Sequence, residues 1–292
     1  MSAYLLNLAT LSAIFGILAV SLNVMVGYAG IFSVAHAVFF GLGAYVGAQM
    51  ALLVTPDVLA AAIAAALFAG GCSLCLALPA LRVRGEYFVV ASLGLQMLAS
   101  TVFEQAQGLT GGIGGLVGIP PPTLLGLDVS SAPAFLVVCL GFLALCLVSI
   151  RLLMRGSFGR SLMALRDSES AARAFGKDVA LLKTQAVVVG CAMAGLGGAL
   201  FAFQEAFVNV ESFTMDQSVL VLAMVIIGGV GTLAGPVIGA VLLLLLPAGL
   251  TFLPFIPPTD IGSVQQLIYG LAMTLLMIFR PAGLAGRPVG QR

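Results

Sequence analysis

Four kinds of residue in this 292-residue chain could carry chemistry: a cysteine pair, one histidine, two lysines and a long basic run. Cys72-Ser-Leu-Cys75 has the spacing of a redox or metal pair. All five cysteines (Cys72, Cys75, Cys139, Cys146, Cys191) sit in apolar segments, without a second such pair or a nearby histidine. They read as small hydrophobes in packed helices, with free thiols and no metal. The single histidine, His36 in Ser33-Val-Ala-His36, has no ligand partner at metal spacing. It reads as a packing histidine bonded to a neighbouring span, and an ionisable group at membrane depth is also a functional candidate. Lys177 follows Gly176 but precedes Asp178, position 171 is alanine, and Lys183 follows Leu182, so neither lysine belongs to a GxxxxGK[ST] phosphate loop. Ser-x-x-Lys and Gly-x-Ser-x-Gly are absent too. The chain is therefore expected to be no enzyme and to hold no cofactor of its own.

The basic run remains. Seven of the 12 basic residues (Arg151, Arg155, Arg160, Arg166, Arg173, Lys177, Lys183) lie in residues 151–183, between two segments apolar enough to cross a bilayer. The reading is a cytoplasmic loop of a membrane transport protein, built to dock a soluble partner. The rest of the chain supports that frame. It is 61% hydrophobic and 8% charged, with mean hydropathy +1.18, whereas a soluble domain is about a quarter charged. Net charge is +1, which gives no sign of a nucleic-acid partner.

Nine apolar stretches are long enough to be spans or shielded half-spans: about 4–26, 32–54, 57–78, 87–103, 133–150, 184–203, 218–230, 236–253 and 264–280. Only helices suit such lengths in lipid. The expectation is an all-α polytopic bundle of eight or nine spans, one permease domain over residues 1–292. The first stretch reads as a retained span, since it lacks a basic flank and a cleavage site. Residues 1–81 hold no Lys or Arg; Arg82 and Arg84, the seven of 151–183, and Arg280, Arg287 and Arg292 each follow an odd-numbered stretch. Positive residues collect in cytoplasmic loops, so the N-terminus is expected outside and the C-terminus inside. The opposite connections carry the acids, among them Asp57, Glu104, Asp128, Glu205, Glu211, Asp216 and Asp260.

Two uncharged breaks strain a simple up-and-down chain: Gly27-Tyr-Ala-Gly30 and Gly228-Gly-Val-Gly231-Thr-Leu-Ala-Gly235-Pro236. They read as tight turns or as interruptions within the membrane like those of transporters built on broken helices. Gly43-Ala-Tyr-Val-Gly47 and Gly235-Pro-Val-Ile-Gly239 have small-residue spacing for close helix packing. In the basic run, residues 157–175 predict one helix, with Ser157 as N-cap and Gly176 as stop. Leu162, Leu165, Ala172 and Phe175 share one face and Arg166, Glu169, Arg173 and Lys177 another, with Glu169 and Arg173 as an i,i+4 pair. Such a helix docks a partner or rests on lipid.

Glu169-Ser-Ala171-Ala172-Arg-Ala-Phe-Gly176 resembles the EAA…G loop of ABC importer permeases. Phe158-Gly-Arg160-Ser-Leu-Met-Ala-Leu-Arg166-Asp-Ser-Glu169 resembles the version in branched-chain amino acid permeases of the LivH/LivM type. Similar to the same family are Ser21-Leu-Asn23-Val-Met-Val-Gly27-Tyr-Ala-Gly30 with Phe39-Phe-Gly41-Leu-Gly43-Ala-Tyr45, and the Gly228 to Pro236 break. Leu81-Arg-Val-Arg84-Gly85-Glu86-Tyr87-Phe88 and Leu109-Thr-Gly111-Gly112, followed by Gly115 and Pro120 to Pro122, point to the LivM half. The resemblance implies a permease of the bacterial inner membrane, working by alternating access for branched-chain or related amino acids. It implies a homologous second permease, two ATPase subunits carrying ATP and magnesium, and a periplasmic binding protein. Arg160, Arg166, Glu169, Ala171, Ala172, Arg173 and Gly176 would then form the ATPase-coupling surface. Similar permeases serve amino acids, amides and urea.

The polar residues inside spans suggest where substrate passes. Asn23, Gly27, Gly30, Ser33, His36, Gln96, Gly228 and Gly231 are the candidate pathway, with interhelical hydrogen bonding as the alternative use. Glu205, Glu211 and Asp216, beside the outer loop 104–132, are the candidate docking acids for the binding protein, against a loop that merely caps the bundle. The other function class is a self-contained secondary transporter or channel; such carriers usually place acids mid-span, whereas these lie in loops or at span ends.

Overall fold

The computed structural model describes residues 2–75, 86–250, 261–279 and 283–285. Arg82, Arg84, Gly85, Asp260, Arg280, Arg287 and Arg292 lie outside them. The helices of more than one turn, in order, are α1 (Ser2–Asn23), α2 (His36–Leu53), α3 (Val58–Cys72), α4 (Glu86–Gln105), α5 (Ala132–Arg155), α6 (Ser157–Asp167), α7 (Glu169–Ala174), α8 (Val179–Glu205), α9 (Met215–Gly228), α10 (Gly235–Leu250) and α11 (Ile261–Phe279). This is an all-α, multi-pass membrane bundle. Five segments are long and apolar enough to cross a bilayer: Ala3–Tyr28, His36–Leu53, Tyr87–Gln105, Ala132–Arg155 and Val179–Glu205. Four shorter apolar helices accompany them: Val58–Cys72, Met215–Gly228, Gly235–Pro247 and Gln266–Leu275.

The core is built on α8, which packs against α1, α2 and α3. Small residues let the main chains approach. A methyl on Gly43 of α2 would sit inside the Gly195 main chain, and one on Gly195 would lie 2.7 Å from the Ala65 carbonyl of α3. Gly47 faces Ala199 one turn further on, so α2 and α8 run in the same direction. Gly239 meets the Met224 carbonyl in the same manner, joining α10 to α9. The Gly43/Gly47 and Gly235/Gly239 spacings thus do the packing expected of them.

Contacts order the two ends. The Asn7 side chain near the start of α1 bonds Gln204 near the end of α8, and Gln49 near the end of α2 donates to the Leu109 carbonyl. At that same end Asp57 caps α3 through the Leu59 amide (2.8 Å) and accepts the Leu125 amide (3.0 Å). Here short strands tie the connections together: β1 (Leu116–Val117) pairs antiparallel with β4 (Phe207–Val208), and β2 (Thr123–Leu124) with β3 (Leu127–Asp128). The loop 104–132 is thus fastened at this end to α2, to the start of α3 and to the segment after α8. Residues 151–183 and both glycine breaks lie at the opposite end.

The single helix expected over 157–175 is two. Ser168 adopts an extended conformation (φ −160°, ψ 112°), and its hydroxyl accepts the Ala171 amide at 3.3 Å, starting α7 afresh. A serine hydroxyl offers the cap that an uninterrupted helix would waste. The N-cap of α6 is Gly156, with Ser157 its first helical residue. The stop at Gly176 is as expected: with φ +71°, its amide bonds Arg173 O (3.0 Å) and Lys177 N–H bonds Ala172 O (3.2 Å), a Schellman motif.

Candidate functional site

The two glycine breaks, 208 residues apart in sequence at Asn23 and Gly231, lie against each other. The last turn of α1 widens into a π-helical turn, Val24–Tyr28, a distortion common at functional positions. Just before it, Asn23 donates from Nδ2 to the Thr232 carbonyl (2.7 Å) and accepts the Gly231 amide on Oδ1 (2.9 Å). One side chain thereby satisfies two main-chain groups of the other break. A methyl at Gly27 would lie 2.5 Å from the Gly231 nitrogen, so only glycine allows this approach. Gly229 (φ +131°) and Gly231 (φ +74°) turn the chain between α9 and α10. Thr232 completes the turn, donating to Gly229 O (2.8 Å) and accepting the Gly235 amide (3.1 Å). Residues 283–285 close it from a third side: Leu284 and Ala285 amides donate to Ile227 and Gly228 carbonyls, both at 2.9 Å, satisfying terminal acceptors of α9.

The basic run meets this junction directly. Arg166 Nη1 donates to the Gly27 carbonyl at 2.8 Å. Its stem lies over Gly30, where an added methyl would meet Cγ at 3.0 Å. Arg166 therefore departs from the expected outward charged face and turns into the bundle. Phe175 departs in the opposite sense: it is 84% exposed, while Leu162, Leu165 and Ala172 are buried as expected. Of the other coupling candidates, Arg160, Ala171, Arg173 and Gly176 are exposed. Glu169 bonds Arg173 (2.8 Å) and Lys183 (2.9 Å), tying the start of α7 to the start of α8.

A second cluster lies deeper. His36 opens α2, and its Nε2 is 2.7 Å from the Ser21 hydroxyl of α1. The next amide, Ala37 N–H, donates to Ser218 Oγ of α9 (2.9 Å), which donates to Gln96 Oε1 of α4 (3.3 Å). Gln96 Nε2 donates to the Phe213 carbonyl (2.8 Å). Ser92 Oγ accepts the Val34 amide (3.0 Å), and Ser33 Oγ the Ala35 amide (3.3 Å). Two helix starts, those of α2 and α9, thus meet inside the bundle. Helix α9, at 14 residues, is about 21 Å long at 1.5 Å per residue, short of a hydrocarbon core of about 30 Å. Phe213 fills the space before it, packed on Phe40, Tyr45 and Phe201.

The eight pathway candidates therefore divide between two places. Asn23, Gly27, Gly30, Gly228 and Gly231 belong to the junction, and Ser33, His36 and Gln96 to the deeper belt. Asn23, Ser33, His36 and Gln96 are each at most 2% exposed, so the belt is closed. His36 Nδ1 and Tyr45 Oη are, among the described residues, the buried side-chain polar atoms without a hydrogen-bond partner. A groove of about 570 Å³ lies elsewhere, on α10, lined by the apolar side chains of Val237, Ile238, Val241, Leu242, Leu245 and Leu246. Among the described residues no His, Cys, Asp and Glu grouping could hold a metal ion. Glu205, Glu211 and Asp216 are exposed around the short turn before α9. Ser21, Ser92, Ser218, Thr232 and residues 283–285 were not among the sequence candidates; hydroxyls in apolar runs were the available signal.

Replacing Asn23 with alanine takes from the half-buried Gly231 amide and Thr232 carbonyl the partner they have here. Each loss costs about 1–3 kcal/mol. Asn23→Ala is expected to lower the temperature of heat-induced aggregation in detergent by several degrees; an unchanged temperature would mean the clamp contributes little.

A family model described as "Branched-chain amino acid transport system / permease component" matches residues 4–279. The chain is 32% identical over 301 residues to the high-affinity branched-chain amino acid transport system permease protein LivM of Escherichia coli (strain K12), covering 95% of this chain and 69% of that protein. It is 23% identical over 218 residues to a probable branched-chain amino acid transport permease protein LivM of Methanocaldococcus jannaschii, covering 71% and 62%. It is also 32% identical over 123 residues to the autoinducer 2 import system permease protein LsrC of Salmonella paratyphi B, covering 39% and 36%. No solved structure matches the chain.

Proposed function

The chain belongs to the family of branched-chain amino acid transport system permease components, and from that premise we propose that it is the membrane subunit through which an ABC importer moves branched-chain or related amino acids. The observation that carries this reading is the α6–α7 elbow. Its tip is exposed at Ala171, Arg173, Phe175 and Gly176, while its root is fastened through Arg166 to the end of α1, beside the turn between α9 and α10. An element exposed at its tip and fastened to a broken helix at its root is suited to transmit force. Two ATPase subunits would seat on the elbows of this chain and of a homologous second permease. ATP and magnesium would belong to them.

In this proposal eight or nine of the apolar helices span a bacterial inner membrane, with the elbow and the C-terminus on the cytoplasmic side. The charge distribution supports that orientation. Substrate would cross by alternating access: closure of the ATPases moves the elbow, the elbow tilts α1 and α9, and the belt around His36, Gln96 and Ser218 opens to one side at a time. The closed belt fits an intermediate state of such a cycle. A binding protein would deliver substrate to the acidic outer end.

The decisive experiment is reconstitution of the complex in vesicles. ATP-dependent accumulation of leucine that requires the binding protein supports the reading; accumulation by this chain alone, driven by an ion gradient, refutes it. The docking part has its own test. Glu211→Ser with Asp216→Ser is expected to raise the binding-protein concentration needed for half-maximal uptake several-fold at low salt, and less at high salt, because exposed charges are screened. Uptake with unchanged salt dependence would remove both acids from the docking surface.

A further inference from the structure

We infer that Arg166 is a transmission residue, not a docking residue: it locks the α6–α7 elbow to the end of α1, against the turn that joins α9 to α10, so that all three shift together. Its role in transport rests on the importer reading above, whereas the lock itself rests on geometry alone. The Arg166 guanidinium reaches the Gly27 carbonyl at 2.8 Å, in the final turn of the π-distorted α1. Carbonyls at a helix C-terminus carry partial negative charge and favour a cation. Nε and Nη2 hold Asp167 Oδ1 at 3.4 and 3.3 Å, which sets the plane of the fork.

The same side chain lies close to the turn of the second break. An added methyl at Gly231 would lie 3.1 Å from Arg166 Nη1 and 3.2 Å from the Gly27 carbonyl. Gly30 and Gly231 both have positive φ (+70° and +74°), and both present bare backbone to the arginine. Asn23 joins Gly231 and Thr232 to α1 just above. The Arg166 side chain is 24% exposed, against 66% for Arg173 on the elbow tip. Arg166 is thus half withdrawn from the surface on which a partner would sit. Displacing α6 while leaving α1 and the 229–232 turn in place would strip a charged donor and a helix-end carbonyl of each other in a confined space, where water replaces the bond poorly. Lysine cannot reproduce the contact, because it offers a point charge without a fork that Asp167 can orient.

The test uses the full-length permease alone and in its complex. Hydrogen exchange on the purified permease comes first. Arg166→Ala is expected to speed amide exchange in residues 24–30 and 229–233 by about tenfold or more, with α8 unchanged, because both segments lose the same restraint. In the reconstituted complex the variant is expected to retain its ATPases on affinity capture while substrate-stimulated ATP hydrolysis and uptake fall about tenfold, with half-saturation unchanged. Arg166→Lys should recover only part of the loss. Unchanged exchange in both segments overturns the lock, whatever the fate of the importer reading. Accelerated exchange with wild-type uptake overturns its role in transmission. Loss of ATPase capture in both variants overturns the distinction from docking. If the wild-type chain captures no ATPase, the importer reading fails, and exchange still decides the lock.

Discussion

Gly43→Leu is expected to leave no folded permease. The methyl position alone collides with the carbonyl, Cα and carbonyl carbon of Gly195. Overpacking typically costs about 1–3 kcal/mol when side chains can rotate aside. Here the obstacle is main chain, held from behind by Ala65 and Ala69 of α3, 2.7 and 2.5 Å from where a methyl on Gly195 would be. Helix α2 must move away from α8, and the belt from Ser21 to Gln96 loses its register with it. The expected cost is about 3 kcal/mol or more, a large part of the 5–15 kcal/mol of a typical fold. Gly94 and Gly141 supply the control, since an added methyl at either meets nothing within 4 Å. Gly94→Ala and Gly141→Ala should elute from a sizing column in detergent as the parent does, while Gly43→Leu should aggregate. A monodisperse Gly43→Leu protein with normal uptake would mean that α2 and α8 are not packed as described.

The second large effect is expected at the elbow. Glu169→Lys combined with Gly176→Leu should disable transport while leaving the bundle intact. Glu169 now sits between Arg173 and Lys183 at 2.8 and 2.9 Å. Lysine there replaces two attractions with two repulsions, a change of about 1 kcal/mol at an exposed site. Leucine at Gly176 must hold φ +71°, costing about 1–2 kcal/mol, or release the Schellman stop and redirect the chain into α8. Together they amount to about 2–3 kcal/mol, which is roughly 30- to 140-fold in ATPase engagement. An added methyl at Gly176 meets nothing within 4 Å, so steric damage to the bundle is not expected. Uptake at the parent rate, from a variant that inserts and elutes normally, would count against docking through this elbow.

Much of the fold was legible because lipid enforces it. Each apolar stretch of the sequence carries a helix, and the glycine breaks fall where Gly27, Gly30, Gly228 and Gly231 announced them. The charge pattern marked 151–183 as one polar unit. What the sequence concealed is set by long-range contact. Helical periodicity puts Arg166 with the outward charges; the Gly27 carbonyl, 139 residues earlier, turns it inward. The same periodicity puts Phe175 with Leu162 and Leu165, but the break at Ser168 resets the phase, and Phe175 ends up exposed. Ser21, Ser92 and Ser218 look like filler in apolar helices. Their part in the belt appears only when four helices converge. The candidate site was thus half visible: the breaks were read from glycines, but not that they meet, nor that an arginine binds the meeting point.

In the function proposed above, this chain works inside a complex driven by separate ATPases. The most direct measurement is to tag the C-terminus, solubilise native membranes in mild detergent, and identify by mass spectrometry what stays bound. Recovery of two ATPase subunits' worth of protein per complex, with a homologous permease, is the predicted result. A tagged chain recovered alone across several mild detergents would contradict it and favour a self-contained transporter.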